Sequence, residues 1–167
     1  PSIVCDATAM TPVADRSVDF VIANHVLEHL ADPLSAIQEW LRVVRPGGHA
    51  YVAVPDHDNP LDRLRPVTPP DHLIDDFEKR VQRQDLDRAH YGEWVASTRP
   101  HLSKEQRAEL EAELLSTQYA IHFHTFSRDT FAQLMEQVAR RFSANLVECR
   151  RGTTGDSIEY IAILRRS

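Results

Sequence analysis

"SVDFVIANHVLEHLADPLSAIQEWLRVVRPGGHAYVAVPD", residues 17–56, is the stretch whose reading decides the fold. Its opening, "SVDFVIA" (17–23), is near-continuously apolar, as a parallel strand buried on both faces should be, and reads as a central strand. Asp32 is placed to cap a helix, Pro33 is tolerated in its first turn, and Leu34, Ile37, Leu41 and Val44 recur at helical spacing. Pro46, Gly47 and Gly48 end that helix, the glycines supplying a left-handed turn, and "HAYVAVP" (49–55) is the next strand. Strand, helix, glycine turn and strand make one right-handed crossover, the unit of an α/β fold with a doubly wound, mostly parallel sheet.

Working outward, "SIVCDA" (2–7) reads as a further strand ending at Asp6, followed by a turn-rich loop. At the far end, "SRDTFAQLMEQVARRF" (127–142) has Ser127 as N-cap and Phe131, Leu134, Met135, Val138 and Phe142 along one stripe, which predicts a helix. "ANLVECR" and "SIEYIAILRR" follow as an antiparallel C-terminal hairpin around the turn "RGTTGD". Between these two regions the alternation of strand and helix lapses. Residues 56–121 open with Pro60, Pro66, Pro69 and Pro70 and continue in charged amphipathic segments, so they read as a helical insertion lying as a lid over the ligand edge of the sheet. Its last segment has Ser103 and Gln106 in capping-box positions and Leu110, Leu114 and Leu115 on one side.

The chain has 167 residues, of which 42% are hydrophobic, enough for the core of one domain. A net charge of −6 gives no general attraction to nucleic acid, and no apolar run reaches the roughly 18 residues of a membrane span. Two cysteines, Cys5 and Cys149, are too few for a disulfide framework and read as buried core residues. With no basic, apolar leader pattern at the start, the expectation is a soluble, cytoplasmic protein.

Ligands of open α/β sheets bind beyond the carboxyl ends of the strands, so Asp6-Ala7, Asn24-His25 and Pro55-Asp56-His57 share one rim. A carboxylate at Asp6 can accept from an exocyclic amine such as that of adenine, while the alternative is an Asx turn. His122 and His124 alternate around Phe123, so in an extended segment both point the same way. Either can act as a general base on an acceptor hydroxyl, or both can be packed under the lid. His25, Glu28 and His29 match a His-x-x-Glu-His pattern, but His25 sits at a strand end and not on a helix, which excludes a zinc peptidase. No metal is assigned; whether these three gather a divalent ion, with His57, His122 or His124, stays open.

The pattern over residues 5–56, with "CDATAM", "HVLEH" and "RPGG", resembles the second half of the core of class I S-adenosylmethionine-dependent methyltransferases of the type 11 kind. Asp6, Ala7, Asn24, His25, Leu27, Glu28, Pro46, Gly47 and Gly48 match by position. The resemblance implies a Rossmann-like methyltransferase fold with S-adenosylmethionine as cofactor, bound by Asp6, Ala7, Asn24, His25 and Leu27. It implies methyl transfer by in-line displacement to a small-molecule or glycan acceptor, with His122 and His124 as the catalytic candidates. More loosely, "RPVTPPDHLIDDFE", "DRAHYGEW" and "IHFHTF" resemble the insertion of a bacterial subgroup associated with cell-surface glycan synthesis. The family's first strand with its glycine-rich turn would lie before Pro1, so residues 1–167 are expected to be a partial methyltransferase domain that lacks its N-terminal strands and does not fold alone as a stable monomer. Two rival readings remain open, a degenerate methyltransferase-like partner-binding subunit and another nucleotide-cofactor enzyme on the same sheet type. A homodimer is also left open.

Overall fold

A computed structural model describes residues 2–79, 83–155 and 157–167. Residues 80–82 of the insertion and Asp156 of the hairpin turn lie outside the described residues. The elements run β1 (Val18–Asn24), a 3-10 turn (Leu27–His29), α1 (Pro33–Val43), β2 (Val44–Pro55), α2 (Pro70–Lys79), α3 (Arg83–Thr98), α4 (Lys104–Thr117), α5 (Arg128–Arg141), β3 (Ala144–Thr154) and β4 (Ser157–Arg166).

The four strands form one sheet in the order β1-β2-β4-β3. The expected crossover is present: β1 and β2 pair in parallel, Phe20 with His49 through Asn24 with Ala53. The other two pairings, β2 with β4 and β4 with β3, are antiparallel. Among the described strands the sheet is therefore not mostly parallel, because the hairpin supplies half of them. The register explains the core. Ala50 lies opposite Leu164, Val52 opposite Ala162 and Val54 opposite Tyr160, and all six are buried on one face. Against that face pack Leu34, Ile37, Trp40 and Leu41 of α1, Leu73 of α2, and Phe131, Leu134, Met135 and Val138 of α5. Burying one Leu- or Phe-sized side chain stabilises by about 1.5–3 kcal/mol, which makes this face the main source of cohesion.

Local signals place the helices where expected. Asp32 accepts from the Ser35 amide at 3.0 Å at the start of α1, and both Ser103 and Ser127 close capping boxes, with Gln106 and Thr130 respectively. Leu114 is buried in a second, smaller core with Ala31, Tyr91, Val95, Ile121 and Phe123, which ties α3 and α4 together.

Four expectations are corrected. Residues 2–5 form no strand; only an isolated bridge, Asp6 with Ala9, occurs there, and Val4 is 97% exposed because no described strand offers it a ladder. Val18–Asn24 is an edge strand among the described residues, not a central one, and Phe20 and Ile22 on its outer face are 62% and 65% exposed. Val44 is not the last helical residue but the first of β2, which runs through Pro46-Gly47-Gly48; Gly47, at φ +80°, takes the left-handed conformation inside that strand. Cys5 and Cys149 are both exposed, one on the unpaired N-terminal segment and one on the outermost strand.

Candidate functional site

The parallel strands β1 and β2 end side by side, at Asn24 and Pro55. Directly after β1, His25 adopts φ 53°, a left-handed conformation that non-glycine residues rarely take and that costs on the order of 1–3 kcal/mol. It is held there because its amide donates to Ala53 O of the neighbouring strand at 3.0 Å. Its ring Nε2 lies 3.1 Å from Oε2 of Glu159, a buried residue of β4, and its Nδ1 lies 3.7 Å from Glu28 Oε1. The turn after β1 thus aims an imidazole across the strand ends.

A strap, residues 121–126, passes over this turn. The amides of Phe123 and His124 both donate to Glu28 O, at 2.6 and 3.3 Å, and His29 Nδ1 donates to Ile121 O at 2.8 Å. From the other side, buried Arg65 donates through Nη1 to His122 O at 2.7 Å and through Nη2 to Phe123 O at 3.1 Å. The Thr68 amide donates to Thr125 O at 3.0 Å, so the loop after β2 is sewn to the strap.

This arrangement brings together an Asp–His pair. His122 Nδ1 lies 2.7 Å from Oδ2 of Asp62, which is only 2% exposed. Burial works to raise the Asp62 carboxyl, but hydrogen bonds from His122 and Asn59 and the charges of His122 and Arg65 outweigh it and hold it below the usual carboxylate range. An ionised carboxylate only accepts, so it fixes the Nδ1–H tautomer of His122 and leaves the Nε2 lone pair free to take a proton.

Two pockets meet at His122. One, of about 440 Å³, opens at the strand ends and is lined by His25, Pro55, Asp56 and Asp58 together with His122. The other, of about 360 Å³, lies on the insertion side between His29, Asp62, Trp94 and Tyr119, and His122 lines it too. In the first, Asp56 accepts from the Tyr160 hydroxyl at 2.7 Å, and burial together with that carboxylate pushes the Tyr160 phenol up to about 12. Beneath His122 lies Glu28, fully buried, whose two carboxylate oxygens have no hydrogen-bond partner. Burial pushes its carboxyl above the ordinary range, against the pull of its own backbone amide and of His29, His122 and His25.

Of the residues singled out in the sequence, His25 and His122 line the strand-end pocket, and Asn24 is exposed beside it. Leu27 is fully buried in the main core and lines neither pocket, and Ala7 packs partly buried against the same core. Asp6 closes an Asx turn, accepting from the amide and hydroxyl of Thr8 at 2.9 and 2.7 Å. His122 and His124 part company because the strap is irregular rather than a strand: His124 is 1% exposed and lines neither pocket. Asp62, Arg65 and Glu159 escaped the sequence reading, since nothing local marks a carboxylate that will meet a histidine 60 positions away. Among the described residues, two side-chain groups could hold a metal ion, Glu28 with His29 and His122, and His72 with His90 and His124.

Residues 1–52 match the family model described as "Methyltransferase domain". Over 48 residues, 29% of this chain, the sequence is 44% identical to an uncharacterized 37.1 kDa protein in transposon TN4556 of Streptomyces fradiae, covering 14% of that protein. Over the same number of residues it is 44% identical to a protein of Mycolicibacterium smegmatis named as a probable S-adenosylmethionine-dependent methyltransferase, covering 19% of it. The matching stretch thus spans less than a fifth of these relatives. Among solved structures, an S-adenosylmethionine-dependent methyltransferase from Methanosarcina mazei shares the fold at a TM-score of 0.52 and 16% identity, over 98% of this chain and 66% of that one. The Rossmann-like methyltransferase fold expected from the sequence is therefore present, and the methyltransferase-domain pattern occupies its N-terminal third.

Proposed function

We propose that this chain is part of an S-adenosylmethionine-dependent methyltransferase, with the methyl donor at the ends of β1 and β2 and the acceptor entering beneath the insertion, residues 56–121. The observation that carries this reading is that the stretch matching the methyltransferase domain, 1–52, runs through β1 and His25, where the strand-end pocket opens. The chemistry of that pocket suits the donor. S-adenosylmethionine carries a sulfonium cation, and Asp56 and Asp58 supply acidic lining. When bound, the donor supplies an electrophilic methyl group for in-line displacement.

The residues of this chain align the partners and manage a proton. His25, with Asn24 beside it, faces the donor from the turn that buried Leu27 anchors in the core, and Asp6 and Ala7 are assigned to its adenosine end. On the other side, Leu61, Leu64 and Tyr119 are 69%, 77% and 57% exposed and form apolar walls of a kind that a sugar ring or other small acceptor packs against. His122 stands between the two pockets and takes the proton from an acceptor hydroxyl through Nε2, while Asp62 holds the ring in place and stabilises the imidazolium that forms. His124 is not given this role, because the strap buries it away from both pockets.

The test uses the full-length protein. Titration with S-adenosylmethionine in a calorimeter should give saturable binding, and His122→Ala and Asp62→Asn should each lower turnover by about 10²–10⁴-fold while leaving donor affinity within a few-fold. Absence of donor binding would overturn the assignment and favour a partner-binding module. Loss of donor affinity in step with turnover would remove the proton-transfer role from the pair.

A further inference from the structure

We propose that His72, His90 and His124, with Asp76 as fourth ligand, form a zinc site that clamps the insertion to the strap. The reading of the His122 pocket is not needed for this, since none of the four residues lines either pocket around His122.

His72 and Asp76 stand one turn apart on α2, His90 comes from α3 and His124 from the strap. One ring nitrogen from each of the three histidines lies within 4.8 Å of the others. His72 Nε2 is 3.4 Å from His90 Nε2 and 3.3 Å from Asp76 Oδ2. Zinc bonds of about 2.0–2.1 Å in a tetrahedron put neighbouring ligand atoms about 3.3–3.4 Å apart, which matches both separations, and Asp76 reaches the group of three histidines through its approach to His72.

Hydrogen bonding leaves two buried acceptor atoms of the cluster unmet, Asp76 Oδ2 and His124 Nδ1. Asp76 Oδ2 is buried and accepts nothing, despite its approach to His72. His124, 1% exposed, faces Ala31 O with Nε2 at 3.3 Å, which places the ring hydrogen on Nε2; its Nδ1 is then a buried lone pair with no donor. A ligating histidine shows this pattern, one nitrogen anchored on a carbonyl and the other left for the metal. The rings meet edge to face, with centroids 4.7 Å apart for His90 and His124 and 6.0 Å for His72 and His124. Imidazole and carboxylate donors suit zinc, and with Asp76 as the fourth ligand the protein would close the coordination shell, which makes the role structural. The His72 side chain is 43% exposed and gives the ion a way in.

The experiment strips the full-length protein with chelator and titrates it with cobalt(II), then zinc(II). Intense visible absorption of tetrahedral cobalt should saturate at one equivalent per chain and be displaced by zinc, with no sulfur charge-transfer band. His72→Ala and Asp76→Asn, both on a partly accessible helix face, should weaken binding more than about 100-fold, beyond what loss of a supporting contact does. His90→Ala and His124→Gln should do the same and also lose the rise in thermal midpoint that zinc gives the unaltered protein. His29→Ala, in the other histidine group, should keep its equivalent. No bound metal, binding unchanged in His72→Ala and Asp76→Asn, or binding lost in His29→Ala would each overturn the proposal.

Discussion

Glu28 is a carboxyl group sealed from water, with neither oxygen hydrogen-bonded to another residue. Glu28→Gln keeps the shape but removes the buried ionisable charge, so it should stabilise the protein at neutral pH by about 1–3 kcal/mol, read as a higher denaturant midpoint. Because the folded-state carboxyl is raised, its favourable contribution is complete below the unfolded value and disappears as pH rises through the folded one; the gain from Glu28→Gln should therefore vanish in acid. Asp62 has the opposite sign. Its carboxyl is lowered in the fold, so its contribution is present above the unfolded value and is lost as pH falls through the folded one. Asp62→Asn should flatten the acid limb of the stability curve measured by thermal unfolding between roughly pH 2 and 5, and an unchanged limb would remove Asp62 from the account. A gain in Glu28→Gln that persists at pH 3 would do the same for Glu28.

At the scale of elements, what could be read in advance was what depends on neighbours in the chain. The caps at Asp32, Ser103 and Ser127 need only a side chain and an amide three residues on, and all three form. Ser127→Ala should cost about 1 kcal/mol, measured by chemical denaturation, because α5 carries a large part of the core. The glycine pair shows where local reading stopped. Gly47-Gly48 promises a turn, but β2 continues through it, since a Cβ at Gly48 would come 2.4 Å from Asp19 O and 2.7 Å from Val44 Cγ1. Only glycine lets β1 approach this closely, at the point where the β1–β2 register shifts. Gly48→Ala should destabilise by about 1–3 kcal/mol, whereas Gly155→Ala at the hairpin turn, which meets open space, is limited to the smaller strain of its φ of +60°.

For the whole molecule, the decisive feature is the contrast between the two faces of the sheet at β1. The face under α1, α2 and α5 is packed, while Phe20 and Ile22 and the outer edge of β1 lie open. An open, apolar strand edge pairs readily with another chain. Residues 1–167 expressed alone should therefore self-associate in light scattering, and Phe20→Lys with Ile22→Lys should reduce the association. A monodisperse species with a sharp unfolding transition in the unaltered chain would contradict this. The sequence by itself determined the crossover, the three caps, the last helix and the C-terminal hairpin, because periodicity, capping and turn chemistry act over a few residues. Tertiary structure alone decided that His122 meets Asp62 and that His124 turns away to His72 and His90. Those pairings join positions tens of residues apart, and the path of an irregular, proline-rich connection, which no local periodicity encodes, sets which side chains meet.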